Sequence, residues 1–377
     1  MPAKPRVYIT TTVFKDIANN PLLSKNVREE IDKAWKALQS VADVVVFNGR
    51  FPDQAEIKKQ LADPATRFIG CHLSHKIDAE SLARSNVVAV CTATMGYDHV
   101  GQAPGVIITH TPGVLNLAVG DYTVALIETA LRNTNGLHDH VWTGEWSQKA
   151  LPWDLDGNIS RSLDGQVLGI VGFGEIGIEL ARRVQPWKVK ILYYDIVRRE
   201  EAEKQFNMEF RPDMKSIFKE ADIVSLHIPL NKQTQGIINK HLLSEMKDGA
   251  LLVNTARGGI LNTADLIDVL DSGSKKINYA TDVFETEPIP LDVLEKFKAI
   301  KRKHPEIRFV FMPHNASADG NTRGTMAKML LEDLYWLVTS RNIDDVKRCR
   351  IIAPQKKALF DEGKAAEYRI SKYWMEQ

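Results

Sequence analysis

The chain has almost no charge of either sign to spare: 49 lysines and arginines face 48 aspartates and glutamates, a formal net charge of +1. With no global field to draw nucleic acid or an anionic membrane surface, neither is expected as a partner, and a small molecule is. Cysteine is scarce as well. Cys71, Cys91 and Cys349 are three in number and far apart, which speaks against a disulfide framework and against a zinc cluster. Cys71 and Cys91 lie inside apolar runs and read as buried thiols. No run of about 18 uninterrupted apolar residues is present to cross a bilayer. The opening MPAKPRVYIT lacks the apolar core of a signal peptide, so a reducing, cytoplasmic setting is expected. Solenoid-length repeats and low-complexity blocks are also missing.

What is present is enough apolar material for two cores, since 377 residues at 44% hydrophobic content exceed what one domain usually holds. Short β-branched runs bounded by turn residues alternate with helical patterns, as expected of parallel sheets with crossover helices. The first set of runs is RVYIT, ADVVVFNG, RFIGCHLS, NVVAVCTAT and GVIITHTP, with NVREEIDKAWKALQSV and DAESLARS as helices between. A long helix is expected from Asn116 to His138, followed by a loop carrying Trp142, Trp146 and Trp153. The second set is QVLGIVGFGEIGIELARRV, KILYYD, ADIVSLHIPL, ALLVNTARGG, NYATDVFE and RFVFMPH, each but the last two separated by a plausible helix. After His314 comes the amphipathic TRGTMAKMLLEDLYWLV and then a charged tail. The expected architecture is α/β with two doubly wound parallel sheets. Residues 1–115 and 320–377 form a discontinuous outer domain, and 116–319 form a dinucleotide unit inserted between its halves.

VGFGEIG supplies Gly172, Gly174 and Gly177 in G-x-G-x-x-G spacing, with Glu175 and Ile176 between them. A lone match is weak, but here a strand-like run precedes it, a helical pattern follows, and Asp195 ends the next run about 20 residues on. Gly172 allows the tight turn, Gly174 the close approach of a pyrophosphate, and Gly177 the packing of helix on sheet. Asp195 accepts hydrogen bonds from the adenosine ribose and repels a 2′-phosphate, so NAD is expected over NADP. Arg198 and Arg199 follow closely; they read either as a solvated helix start or as receivers of that phosphate.

Hydride transfer to or from a bound nicotinamide needs a cation for the substrate, a proton donor and acceptor, and a group that tunes it. Arg257 ends ALLVNTA, Glu287 lies just beyond NYATDVF, and His314 ends RFVFMP. In an open α/β sheet ligands collect outside the carboxyl ends of the strands, so these three are expected in one crevice. Arg257 offers a planar fork of donors for a carboxylate. The alternative is a structural ion pair with Asp222 or Glu245. Gly258 and Gly259 leave room beside the guanidinium or simply make a turn. Glu287 next to His314 fixes the tautomer and favours the protonated ring. Glu285 is the rival carboxylate.

VGFGEIG, VNTARGG, DVFETEP and MPHNAS, in that order and at those intervals, resemble the D-isomer-specific 2-hydroxyacid dehydrogenases over roughly residues 6–345. The resemblance implies a Rossmann NAD domain set in a flavodoxin-like substrate domain. It also implies interconversion of a small D-2-hydroxy acid and its 2-oxo acid. Arg257 would bind and polarise the 2-oxo acid, His314 would exchange the proton, and Glu287 would orient the histidine. The implied cofactor contacts are Gly172, Gly174, Glu175, Ile176, Gly177, Asp195, His227, Pro229, Thr234, Thr255, Ala256 and Asp282, the last at the nicotinamide carboxamide. For His227 a packing role near the adenine pocket is the plainer reading. CTATMGYDHV resembles a loop whose N–H groups near Met95 and Gly96 hold the substrate carboxylate, and CHLSHKID places Leu73 and Ser74 near it. The tryptophan-rich region resembles a dimer arm, implying a homodimer. His72 with His75, and His138 with His140, lack a third ligand at useful spacing, and no metal is expected.

Three departures from the family bear on substrate. The chain between GYDHV and GVIITHTP is short, Asn315 stands where an apolar residue is common, and LDVLEKFKAIKRKHPEI is long and basic, as for an added surface helix. The nearest relatives in pattern are glyoxylate and hydroxypyruvate reductases, with D-lactate-type enzymes as the alternative. Formate dehydrogenases carry glutamine in place of Glu287, and phosphite dehydrogenases carry lysine in place of Met95. An NADH-sensing corepressor is a further alternative, which would bind NADH and reduce nothing.

Overall fold

The computed structural model describes residues 4–149 and 158–377, apart from the Lys149 side chain. Residues cluster into two units, 1–115 with 318–377, and 116–317.

In the first unit five strands form one parallel sheet: β1 (Arg6–Ile9), β2 (Asp43–Val46), β3 (Thr66–Cys71), β4 (Ala89–Thr92) and β5 (Ile107–Thr109), in the order β2-β1-β3-β4-β5. This is the flavodoxin-like order, with its switch point between β1 and β3. β4 is buried at every position, as expected of a strand covered on both faces. The helix Lys25–Val41 starts where Ser24 accepts from the Val27 N–H, and it turns Val27, Ile31, Ala34, Trp35 and Leu38 inward at helical spacing. Each such side chain contributes about 1.5–3 kcal/mol when fully buried. The helix Gly320–Thr339, begun by the side chain of Asp319, packs against it. No helix lies between Gly96 and Val106, in keeping with the short connection there.

The second unit holds seven parallel strands: β6 (Val167–Val171), β7 (Lys190–Tyr194), β8 (Met208–Phe210), β9 (Ile223–Leu226), β10 (Leu251–Asn254), β11 (Asn278–Thr281) and β12 (Phe309–Phe311). Their order is β12-β11-β10-β9-β6-β7-β8, which reverses between β6 and β9. That reversal is the topological switch point of a Rossmann sheet. Two cores flank it: Leu252, Leu266 and Phe297 lie in one, and Leu168, Ile170 and Leu180 in the other.

Three expectations about elements need correcting. The helix from Asn116 is two helices, Asn116–Arg132 and Thr134–Trp142, because Asn133 adopts a left-handed φ of 53°. Asparagine tolerates that conformation, and it ends one helix and turns the chain into the next. The basic segment before His314 is no surface addition. Its helix, Leu291–Lys303, is the crossover between β11 and β12, with Phe297 and Ile300 buried and the lysines outside. β8 has no counterpart among the expected runs. Among the described residues no helix is long and apolar enough to cross a membrane.

Candidate active site

The glycine turn lies at the switch point of the second sheet. Gly172 has φ +92°, and a side chain there would come within 2.7 Å of the His227 backbone at the end of β9. Only glycine satisfies both conditions. Gly174 caps the helix Glu175–Val184, and a Cβ on it would meet nothing within 4 Å. Open space at the start of a helix, where N–H groups point outward, fits a pyrophosphate. At Gly177 a Cβ would press to 2.7 Å from the Gly172 carbonyl oxygen, so the helix sits tight on the turn. Glu175 accepts from the side-chain amide of Asn116. Ile176 is partly buried beside it.

Asp195 follows β7 and points back at this turn. One carboxylate oxygen accepts the Phe173 N–H at 2.7 Å and the other accepts the Val197 N–H at 3.1 Å. His227 is hydrogen-bonded through Nε2 to the Ser225 hydroxyl at 2.8 Å, and burial pushes its imidazole down to about 4. In the loop beyond, the Thr234 hydroxyl donates to the Pro229 carbonyl at 2.5 Å, so these two residues are held together. Thr255 is buried against the Thr123 hydroxyl at 2.9 Å, and the Ala256 N–H is taken by the Asn254 side chain at 3.0 Å.

Arg257, Asp282 and His314 leave the carboxyl ends of the adjacent strands β10, β11 and β12. The Asn254 amide donates to the Arg257 carbonyl at 3.0 Å, and the guanidinium donates to the Ala256 carbonyl at 2.8 Å. The two structural carboxylates considered for Arg257 are engaged elsewhere: Asp222 with Lys247 at 2.8 Å, and Glu245 with Lys215 at 3.1 Å. Gly258 answers a spacing question. A side chain there would overlap the Phe284–Glu285 peptide, so the loop after β11 lies directly on this glycine.

That loop delivers Glu287. One of its oxygens accepts the Phe284 N–H at 2.9 Å, and the other is 2.7 Å from His314 Nδ1. Glu285 turns away to accept the Thr263 N–H at 3.2 Å. Burial pushes the Glu287 carboxyl up, but the His314 hydrogen bond and charge, the Phe284 N–H and the nearby Arg257 outweigh it. Glu287 is held below the usual carboxylate range. A carboxylate accepting at Nδ1 requires N–H there, which leaves Nε2 as the exchanging nitrogen.

His314 itself has φ +55°, a conformation costing a non-glycine residue about 1 kcal/mol or more. Asp282, 1% exposed, holds it there. Its carbonyl accepts the His314 N–H at 2.8 Å, and its two carboxylate oxygens accept the N–H groups of Asn315 and Ala316 at 2.7 Å each. Hydrogen bonds to a charged group contribute about 1.5–3 kcal/mol apiece, more than the backbone cost. Burial raises the Asp282 carboxyl, opposed by those two N–H groups and by His314. Sequence reading missed this role, because no side-chain pattern announces a carboxylate aimed at backbone N–H groups.

In the first unit the expected substrate residues follow strand ends. Leu73 and Ser74 lie just past β3, where the Ser74 N–H donates to His72 Nδ1 at 3.3 Å. His72 lies against His75, ring centroids 3.9 Å apart. Met95 and Gly96 lie past β4; the Met95 carbonyl accepts from His110 Nδ1 at 2.8 Å and the Gly96 carbonyl from the Thr94 hydroxyl at 2.7 Å. His140 pairs with Glu145 at 3.1 Å and His138 stacks on Trp142. Among the described residues no three His, Cys, Asp or Glu side chains are grouped to hold a metal. Trp153 lies outside the described residues.

Arg198 lies solvated just before the helix Glu200–Phe206, as the first of its two readings has it. Its Nε and Nη2 both donate to Glu203, each at 2.9 Å.

Known proteins resemble this chain in sequence and in fold. Residues 124–316 match the family model described as D-isomer specific 2-hydroxyacid dehydrogenase, NAD binding domain. A glyoxylate reductase of Thermofilum pendens is 36% identical over 343 residues, covering 88% of this chain and 91% of that protein. A solved structure from Thermus thermophilus is 28% identical with a TM-score of 0.69, covering 88% of this chain and 96% of that one. The fold is shared with an NADPH-dependent glyoxylate/hydroxypyruvate reductase from Sinorhizobium meliloti solved with NADP and malonate. It is 21% identical with a TM-score of 0.68, covering 93% of this chain and 97% of that one. With a glycine turn fitted to a nicotinamide dinucleotide and a match of this extent, the chain belongs to the D-isomer-specific 2-hydroxyacid dehydrogenase family and is an NAD(P)-dependent oxidoreductase.

Proposed function

We propose that this enzyme reduces a small 2-oxo acid of the glyoxylate or hydroxypyruvate class to its D-2-hydroxy acid, using NADH in preference to NADPH. The observation that carries the reading is the 2.7 Å contact between His314 Nδ1 and a Glu287 carboxylate kept ionised beside Arg257. When bound, the nicotinamide supplies the hydride for reduction and accepts it in the reverse direction. Gly172, Gly174, Glu175, Ile176, Gly177, Asp195, His227, Pro229, Thr234, Thr255, Ala256 and Asp282 hold that cofactor.

The chain's own residues do the rest. Arg257 clamps the anionic substrate and draws electron density toward the oxo oxygen. His314, protonated on Nε2, gives that proton to the oxygen; in oxidation the neutral ring takes it back. Glu287 fixes the Nδ1–H tautomer and balances the imidazolium. General acid-base help of this kind is worth roughly 10²- to 10⁴-fold. Leu73, Ser74, Met95 and Gly96 border the substrate. Carbonyls of Met95 and Gly96 already engaged by His110 and Thr94 support reading that loop's N–H groups as the carboxylate holders. The relatives named glyoxylate reductases support the size of the substrate.

The test is NADH oxidation, followed by absorbance, with glyoxylate, hydroxypyruvate, pyruvate and phenylpyruvate, NADPH in parallel, and Arg257→Ala as control. Saturable turnover is expected with glyoxylate and hydroxypyruvate, and Arg257→Ala should lower kcat/KM by about 10² or more while leaving NADH affinity unchanged. Turnover confined to phenylpyruvate, or an unimpaired Arg257→Ala, would sink the assignment.

A further inference from the structure

Arg198 stands three residues beyond Asp195, close enough in the chain to offer a cation to a 2′-phosphate on the adenosine ribose, where NADP-binding Rossmann proteins place an arginine. Here the guanidinium is committed. It makes a two-point contact with Glu203 at 2.9 Å and 2.9 Å, and it lies over the Phe210 ring at 5.6 Å from the centroid. Glu203 is anchored in turn by the Tyr193 hydroxyl at 2.8 Å, and the same hydroxyl accepts the Arg199 N–H at 2.8 Å. The Tyr193 ring is fully buried in the second unit's core, so the tie is fixed at one end to a rigid strand. The Arg198 bond, the largest influence on it, helps hold the Glu203 carboxyl down to about 2. An exposed ion pair ordinarily contributes little, but a bidentate pair with a third, buried partner is the geometry that holds.

We propose that Glu203 sets cofactor choice by keeping Arg198 away from the adenosine ribose, so that two carboxylates enforce the preference for NAD: Asp195 repels a 2′-phosphate, and Glu203 withholds the cation that would receive it. This rests on the NAD preference proposed above. Glu203 is a positioning residue, which touches neither cofactor nor substrate.

Binding of NADH and NADPH is measured by fluorescence titration without substrate, on wild type, Glu203→Gln, and Glu203→Gln with Arg198→Ala. Glutamine keeps an acceptor for Tyr193 and the side-chain size, and melting temperature checks the fold. The NADPH Kd should fall about tenfold in Glu203→Gln, with the NADH Kd unchanged, and the gain should vanish when Arg198 is also removed. High salt should erase the gain as well. An unchanged NADPH Kd, or a gain that survives loss of Arg198, overturns the proposal. The wild-type ratio separately tests the NAD preference: equal affinities would overturn that reading whatever the variants do.

Discussion

Glu287 illustrates how one side chain can carry a structural task alongside the chemical one proposed for it. Its two oxygens are divided between a backbone N–H of its own loop and the ring of His314. Because its folded pKa is depressed, its contribution to stability is complete above the ordinary carboxylate value and is lost as pH falls through the lower, folded value. Between pH 5 and 8 the residue therefore does not titrate. Glu287→Gln should lower the melting temperature at pH 7, and the gap from wild type should narrow as the pH approaches 4. Differential scanning fluorimetry across that range checks it; a gap that widens toward acid would contradict the charged form. The polar ends of apolar runs were legible in sequence because Arg257 and His314 each follow a strand directly. The support that Asp282 gives the His314 turn was not, nor was the Glu203 contact to Arg198, since both rest on geometry that no spacing encodes.

At the scale of elements, the turn after β12 is stapled to the end of β11 by the Asp282 carboxylate. Asp282→Ala leaves two inward N–H groups without acceptors, and the left-handed His314 keeps only the backbone bond at residue 282 and the Glu287 contact. A loss of about 2–4 kcal/mol in urea unfolding is expected, with kcat falling even in preparations that remain folded. A stable variant with normal kcat would show that the turn holds itself. All the described strands but β8 follow from β-branched runs bounded by turn residues. β8 escapes because Met208, Glu209 and Phe210 are too few to show a period and stand at a sheet edge. The crossover helix Leu291–Lys303 is hard to place for a related reason: two buried residues, Phe297 and Ile300, anchor it while its lysines dominate the composition. The break at Asn133 falls in Asn133-Thr134-Asn135-Gly136, a run of poor helix formers that the longer apolar pattern on either side masks, and one backbone angle decides it.

For the whole molecule, the helix Thr134–Trp142 buries none of its residues within its own chain. Trp142 is 81% exposed and Val141 55%. Apolar surface of this kind on a separate helix is the surface that a second copy would cover. Light scattering should give a dimer for the wild type and a monomer for Trp142→Glu combined with Val141→Glu; a wild-type monomer would remove the arm assignment. Architecture at this scale is readable early, because strand order in parallel sheets is restricted by right-handed crossovers and by the glycine turn at the switch point.

Gly258 joins these scales. Since the loop bearing Glu287 rests on the glycine that follows Arg257, the proposed anion clamp and proton relay share one mechanical footing. Neither can be repositioned by a change at this contact without dragging the other along.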